Sequence, residues 1–136
     1  MTLVLDTSIA VSWCYDDEAG PETDRLLERV RDEGAVVPGL WHLELANVLL
    51  QAEKRGRIAG SDVTTRLELI GELPITTDAE TTARAWRETL ALARVEGLTV
   101  HDAAYLELAR RRSLPLWTRD RQLAEAARRV GIIVHP

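Results

Sequence analysis

The chain is poor in several residue types, and each shortage excludes a class of protein. Its one cysteine, Cys14, cannot form an internal disulfide, which agrees with a reducing compartment. Cys14 is expected to be a small buried hydrophobic residue rather than a nucleophile. The single lysine, Lys54, lies inside a predicted helix, whereas a receiver domain needs a lysine after a late strand. No apolar run approaches the roughly 20 residues that cross a bilayer. A strand pattern begins almost at Met1, with no basic start or apolar signal core before it, so a cytoplasmic protein is expected.

The charge of the chain is unevenly distributed. A net charge of −5 argues at first against a nucleic-acid partner. However, residues 1–100 carry 18 acids and 10 bases, whereas residues 101–136 carry 4 acids and 7 bases. The bases of this second segment are all arginine: Arg110, Arg111, Arg112, Arg119, Arg121, Arg128 and Arg129. They could hold a phosphate chain beside Asp102 and Asp120, although a solvated surface explains them equally well.

Strand and helix patterns alternate along the 136 residues, a length that fits one domain. Buried strands are predicted at Leu3–Leu5, Val36–Val37, Leu73–Thr76, Leu116–Thr118 and Ile132–Val134. Helices are predicted in the connections, the longest at 40–55 and at 79–96. This alternation predicts an α/β fold with a mainly parallel sheet and helices on both of its faces.

Four acidic residues occur where such a sheet would form a ligand crevice. Asp6 and Asp120 follow short apolar strands, Asp102 opens a predicted helix, and Glu44 lies in a leucine-rich one. The carboxyl ends of strands in open α/β sheets border the ligand site. Carboxylates gathered there repel one another, so ionisation of the whole set calls for a bound cation. The pattern therefore predicts metal-dependent chemistry.

Each acid also has a purely structural interpretation. Asp102 and Asp120 can be helix N-caps that accept a backbone N–H, and Asp78 is predicted to be only that, as the cap of the helix at 79–96. An uncompensated carboxylate at Glu44 would be costly to bury. A partly exposed glutamate at a helix edge would need no function at all.

Four short motifs surround these acids, and they occur in one fixed order. They are D-T-S at Asp6–Ser8, E-x-x-N at Glu44–Asn47, D-A-x-Y-x-x-L-A at Asp102–Ala109 and T-x-D-x-x-L at Thr118–Leu123. Each motif is weak alone. Together, in this order and in a chain of this length, they resemble the PIN-domain ribonucleases, specifically the VapC-type toxins of toxin–antitoxin pairs. The resemblance implies a PIN-like three-layer α/β/α sandwich, with residues 1–136 as a single PIN domain.

The resemblance also implies an activity and its partners. It implies the toxin of a type II pair, an endoribonuclease that uses Mg²⁺ or Mn²⁺ to activate water and cleave single-stranded or looped RNA, leaving 5′-phosphate and 3′-hydroxyl ends. A cognate VapB-type antitoxin would inhibit it, and the protein would form a homodimer. Asp6, Asp102 and Asp120 would bind the cation, and Glu44 would complete the acidic cup.

The chemistry of their side chains gives further residues supporting roles. Ser8, Asn47 and Thr118 would contact carboxylates or a phosphate oxygen, with Asn47 orienting Glu44. Arg119 and Arg121 would contact the RNA backbone.

Two other functions remain open from the residues themselves. A haloacid-dehalogenase-type phosphatase also begins with a strand and an aspartate, but it needs a second aspartate where this chain has Ser8. A metal-stabilised module that binds a partner protein and has no activity would use the same acids, because opposite charges attract across an interface.

Overall fold

A five-stranded sheet forms the centre of the computed structural model, which describes residues 1–136. The strands are β1 (Leu3–Leu5), β2 (Ala35–Val37), β3 (Ile75–Thr77), β4 (Leu116–Trp117) and β5 (Val134–His135). They lie in the order β3-β2-β1-β4-β5, and every neighbouring pair is parallel. The predicted, mainly parallel sheet is confirmed, and in this chain it is wholly parallel.

The two edge strands begin two residues later than the sequence predicts. The backbone N–H of Leu73 donates to Ile70 at the end of a helix, and the N–H of Ile132 donates to Ala127 in another. Both residues therefore close a helix, and the sheet ladder starts at Ile75 and Val134 instead.

Helices fill the connections between the strands. They are α1 (Thr7–Ser12), α2 (Pro21–Glu33), α3 (Trp41–Lys54), α4 (Gly60–Gly71), α5 (Thr81–Arg84), α6 (Leu90–Glu96), α7 (Val100–Arg112) and α8 (Arg121–Arg129), with a 3₁₀ turn at Asp16–Glu18. A π-helical segment at Ala85–Thr89 joins α5 to α6, so the long helix predicted at 79–96 is interrupted. None of the helices combines the length and apolar composition that a membrane span requires.

The core lies on both faces of the three inner strands. All residues of β1, β2 and β4 are buried, as expected for parallel strands that helices cover on each side. Helix α7 contributes a continuous buried stretch from Ala103 to Ala109. Cys14 is also buried, and burial raises the pKa of its thiol to about 11, which agrees with the predicted small hydrophobe.

The starts of α7 and α8 place two of the four acids. Asp120 is the N-cap of α8, where its Oδ1 accepts the backbone N–H of Leu123 at 2.9 Å. Asp102 is not a cap, because Thr99 takes that position and its hydroxyl oxygen accepts the backbone N–H of Asp102 at 3.1 Å. The carboxylate of Asp102 therefore lies in the first turn of α7 without being committed to capping.

The prediction that Asp78 only caps a helix is wrong. The position before α5 belongs to Glu80, which makes no side-chain cap hydrogen bond. Asp78 instead accepts hydrogen bonds from Arg111 of α7 at 2.7 and 3.2 Å and from Thr81 at 2.8 Å. It is buried, so its carboxylate requires a cationic partner, and Arg111 supplies one across 33 residues of sequence.

Candidate active site

Asp6 lies at the carboxyl edge of the central strand, buried between two hydroxyl groups. It directly follows β1, and Thr118 directly follows the neighbouring strand β4. Oδ2 of Asp6 accepts hydrogen bonds from Ser8 Oγ at 2.7 Å and from Thr118 Oγ1 at 2.6 Å. Parallel pairing of β1 with β4 therefore brings together two motifs that lie 112 residues apart.

The two hydroxyl groups also hold the loop that follows β4. The buried Thr118 Oγ1 accepts the backbone N–H of Asp120 at 3.0 Å, and Ser8 Oγ accepts that of Arg119 at 2.9 Å. Each hydroxyl thus donates to Asp6 and accepts from the loop. Thr118 thus ties the Asp6 carboxylate to the backbone of Asp120, and the N–H of Leu123 holds the Asp120 carboxylate itself.

The four acids influence one another electrostatically. Burial raises the pKa of Asp6; hydrogen bonds from Thr118 and Ser8 oppose the rise, and the charge of Asp120 adds to it. Burial also raises the pKa of Asp102, and the charges of Asp120 and Asp6 add to that rise. Burial and mutual repulsion thus raise the pKa of both Asp6 and Asp102, and a bound cation would oppose both effects.

Glu44 is attached to this cluster through Tyr105 and Thr7. Its Oε1 accepts a hydrogen bond from the Tyr105 hydroxyl at 2.5 Å and one from Thr7 Oγ1 at 3.2 Å. Burial raises the pKa of Glu44, these two donors oppose the rise, and the charge of Asp6 adds to it. Glu44 thus lies close enough to Asp6 for the two charges to interact.

Asn47 does not orient Glu44 as the sequence analysis expects. It is exposed on α3 and forms no side-chain hydrogen bond, whereas Tyr105 and Thr7 hold the Glu44 carboxylate. Sequence reasoning missed both residues. The available signal was their position inside the motifs, since Thr7 follows Asp6 and Tyr105 lies one helical turn after Asp102.

The donor chemistry of the cup fits Mg²⁺ or Mn²⁺. No three or more His, Cys, Asp or Glu side chains are arranged to hold a metal ion by themselves. Mg²⁺ does not require such a cage, because it usually keeps several waters and binds through one or two carboxylates. Oε2 of Glu44 and Oδ2 of Asp120 accept no hydrogen bond, so both remain available to an ion or its waters. The residues therefore suit a hydrated hard cation.

The arginines of the C-terminal segment are mostly paired within the chain. Four of them form ion pairs: Arg111 with Asp78, Glu80 and Glu107, Arg119 with Glu18, Arg121 with Glu125, and Arg129 with Glu96. They do not form a bare basic track. Arg119 is the member next to the acids, since its backbone N–H contacts Ser8.

Removal of the Thr118 hydroxyl tests the link between the Asp6 carboxylate and the backbone of Asp120. In Thr118→Val, Asp6 loses a donor and the N–H of Asp120 loses its acceptor, so the free energy of unfolding should fall by about 1–3 kcal/mol. Urea unfolding measures this, with Thr64→Val on the exposed face of α4 as the matched control. Equal stability of the two variants would show that the two hydrogen bonds of the Thr118 hydroxyl do not stabilise the fold.

The chain resembles known proteins over most of its length and not only at the four motifs. The family model described as PIN domain matches residues 3–129. Ribonuclease VapC3 of Pyrobaculum aerophilum is 30% identical over 125 residues, which cover 92% of this chain and 94% of that protein.

Three solved structures share the fold. PAE2754 from Pyrobaculum aerophilum has a TM-score of 0.73 at 23% identity, and the match covers 98% of this chain and 83% of the PAE2754 chain. FitAcB from Neisseria gonorrhoeae has a TM-score of 0.65 at 20% identity, and the match covers 100% of this chain and 97% of that chain. VapBC2 from Rickettsia felis, bound to a DNA fragment from its promoter, has a TM-score of 0.69 at 16% identity. The match covers 99% of this chain and 98% of that chain. The family match and the VapC3 relative show that the chain belongs to the PIN-domain family, as a VapC-type member.

Proposed function

We propose that this protein is the toxin of a type II toxin–antitoxin pair and a Mg²⁺- or Mn²⁺-dependent endoribonuclease. One observation carries the proposal: the parallel strands β1 and β4 hold Asp6 and Asp120 together through Thr118, with Asp102 and Glu44 within electrostatic reach. Residues 1–136 would act as a single PIN domain in the cytoplasm, where a lone buried cysteine stays reduced.

The acids would share the work of holding the ion. Asp6, Asp102 and Asp120 would bind it directly or through water, and Glu44 would complete the cup. When bound, a divalent ion supplies positive charge that acidifies water and stabilises the phosphate oxygens during in-line displacement. Thr118 and the neighbouring Ser8 keep the Asp6 carboxylate in one orientation and favour its ionised form.

Single-stranded or looped RNA is the substrate class that suits a site of this kind. Unpaired nucleotides can be splayed out and bent into a recessed site, whereas a paired helix presents a rigid backbone. Cleavage would leave a 5′-phosphate and a 3′-hydroxyl. The buried position of Asp6, which is 7% exposed, supports a substrate that must reach inward.

Two protein contacts belong to the proposal. Helix α3 exposes Leu43 and Leu50, which are 78% and 44% accessible, and this apolar face supports a homodimer. A cognate VapB-type antitoxin would inhibit the enzyme by placing a basic side chain among the four acids, where opposite charge favours it.

The proposal is tested by incubating the purified protein with a panel of total and synthetic RNAs in Mg²⁺ or Mn²⁺. Cuts that need the ion, disappear with chelator and leave 5′-phosphate ends are expected. A parallel arm offers a small phosphomonoester, because its hydrolysis without RNA cleavage would favour the phosphatase alternative. If metal-loaded protein free of antitoxin cuts no RNA, the inactive binding module becomes the better account.

Replacement of Arg119 tests its assignment to the RNA backbone. Its guanidinium lies 3.0 Å from Glu18, an exposed pair of the kind worth roughly 0–1 kcal/mol, so a phosphate can replace Glu18 there. Arg119→Ala should raise KM for RNA about fivefold, leave kcat nearly unchanged and reduce the salt dependence of binding by about one counterion.

The matched control is Arg128→Ala. Arg128 is exposed near the opposite end of α8 from Asp120 and forms no ion pair. Kinetics at several salt concentrations should separate the two variants. Identical KM values and salt slopes would remove Arg119 from the RNA-binding surface.

A further inference from the structure

Tyr105 is a buried polar residue whose hydroxyl contacts Glu44 and Thr7, and it is neither one of the four acids nor a donor to Asp6. It is 0% exposed in α7, with its hydroxyl 2.5 Å from Glu44 Oε1 and 2.9 Å from Thr7 Oγ1. It lies three residues after Asp102, so both residues occupy one side of α7. Tyr105 therefore ties the helix that carries Asp102 to the helix that carries Glu44.

The direction of these hydrogen bonds follows from counting protons. Tyr105 and Thr7 carry one hydroxyl proton each, and ionised Glu44 only accepts. The shortest contact joins Tyr105 to Glu44, so the phenol donates there. The proton of Thr7 is then left for the Tyr105 oxygen at 2.9 Å or for the same Glu44 oxygen at 3.2 Å. The Tyr105 proton thus goes to Oε1, and the Thr7 proton goes to Oε1 or to the Tyr105 oxygen. Oε2 of Glu44 accepts no hydrogen bond.

We propose that Tyr105 is a positioning residue whose hydroxyl, backed by Thr7, fixes Oε1 of Glu44 and leaves Oε2 to contribute to the acidic cup. This inference rests on the proposed function and names a residue on which it depends. A tyrosine phenol has a pKa of about 10, so it remains a proton donor at neutral pH. Without the phenol, Glu44 would keep only the longer contact to Thr7 and would be free to rotate away from the other acids.

Tyr105→Phe isolates the hydroxyl, because the ring that fills the core remains. Loss of a partner that orients a metal-site carboxylate should weaken Mn²⁺ binding about tenfold and lower kcat about 10–100-fold. KM for RNA should change by less than about twofold, since the substrate contacts remain. Tyr15→Phe is the matched control, because Tyr15 is the other tyrosine and its ring lies under the Arg57 guanidinium, outside the cup.

A double-mutant cycle with Glu44→Gln separates positioning from general packing. If Tyr105 acts through Glu44, Tyr105→Phe should change the Mn²⁺ Kd by less than about twofold in the Glu44→Gln background. Equal losses in both backgrounds, with a lower Tm, would show a packing role and overturn the inference. Thr7→Val gives a second route should Tyr105→Phe fail to fold, and its expected weakening of Mn²⁺ binding is about threefold.

The outcomes also separate this inference from the proposed function. If the wild-type protein cleaves RNA but Tyr105→Phe leaves the Mn²⁺ affinity and kcat unchanged, the inference is overturned and the proposed function stands. A wild-type protein that neither binds Mn²⁺ nor cleaves RNA overturns both. Weakened Mn²⁺ binding in Tyr105→Phe, absent from Tyr15→Phe and from the Glu44→Gln background, supports the inference.

Discussion

Replacement of Arg111 by methionine is expected to lower the free energy of unfolding by about 3 kcal/mol, near the lower end of the 3–5 kcal/mol cost of breaking a buried ion pair. Arg111 lies 2.7 Å from both Asp78 and Glu107, whose side chains are only 5% and 4% exposed. Methionine keeps the bulk of the side chain but leaves two buried carboxylates without it. Arg84, 3.8 Å from Glu107, compensates in part, which favours the lower figure.

The same network predicts how this difference changes with pH. Burial opposes ionisation of Asp78, but hydrogen bonds from Arg111 and Thr81 outweigh it and hold the pKa of Asp78 below its usual value. A lowered carboxylate pKa stabilises the folded state above the unfolded pKa of about 3.9, and this stabilisation is lost as the pH falls through the folded pKa. The gap between wild type and Arg111→Met should therefore be full at pH 7 and narrow in acid.

Urea unfolding at pH 7 and at lower pH measures both effects. Arg121→Met is the matched control, because Arg121 is 93% exposed and its pair with Glu125 spans 3.5 Å on one helix. It should change stability by less than about 0.5 kcal/mol. Comparable losses in the two variants, or a gap that does not depend on pH, would contradict the role assigned to the buried network.

Asp6→Asn is expected to lower RNA cleavage by about 10³-fold, as loss of several kcal/mol of charge stabilisation at a metal site implies. The substitution keeps the shape of the side chain and removes the charge from the middle of the acidic cup. Because the pKa of Asp6 is raised, its charged form destabilises the folded protein at neutral pH. The variant should therefore unfold at or above the Tm of wild type.

Activity and thermal unfolding measured together make this prediction decisive. Asp32→Asn is the control, since Asp32 is exposed near the end of α2 and forms no ion pair. It should cleave RNA like wild type. Full activity in Asp6→Asn would remove Asp6 from the reaction, whereas lost activity together with a much lower Tm would point to misfolding instead.

The position of the cup could be predicted from sequence because it depends on local patterns and on one topological rule. Apolar strands that end just before Asp6 and shortly before Asp120, with helices between them, imply parallel pairing. Parallel strands present their carboxyl ends at one edge. The alternation of strands and helices therefore determines which edge of the sheet carries the acids. The hydroxyls of Ser8 and Thr118 lie within two residues of these acids and meet them there.

Contacts between distant helices could not be predicted in the same way. Tyr105 and Glu44 are 61 residues apart, and their hydrogen bond depends on how α7 lies against α3. The Asp78–Arg111 pair joins two segments 33 residues apart, while Asp78 has the local pattern of a helix cap. Thr99 and Asp102 are both good capping residues, so the choice between them depended on where the chain enters α7.

Mn²⁺ binding to the RNA-free protein, measured by isothermal titration calorimetry, tests most directly the claim that the four acids form a divalent-cation site. Wild type and Asp32→Asn should show the same saturable binding, and Asp6→Asn should bind at least about tenfold more weakly. Absence of binding in wild type, or an unchanged Kd in Asp6→Asn, would contradict the account.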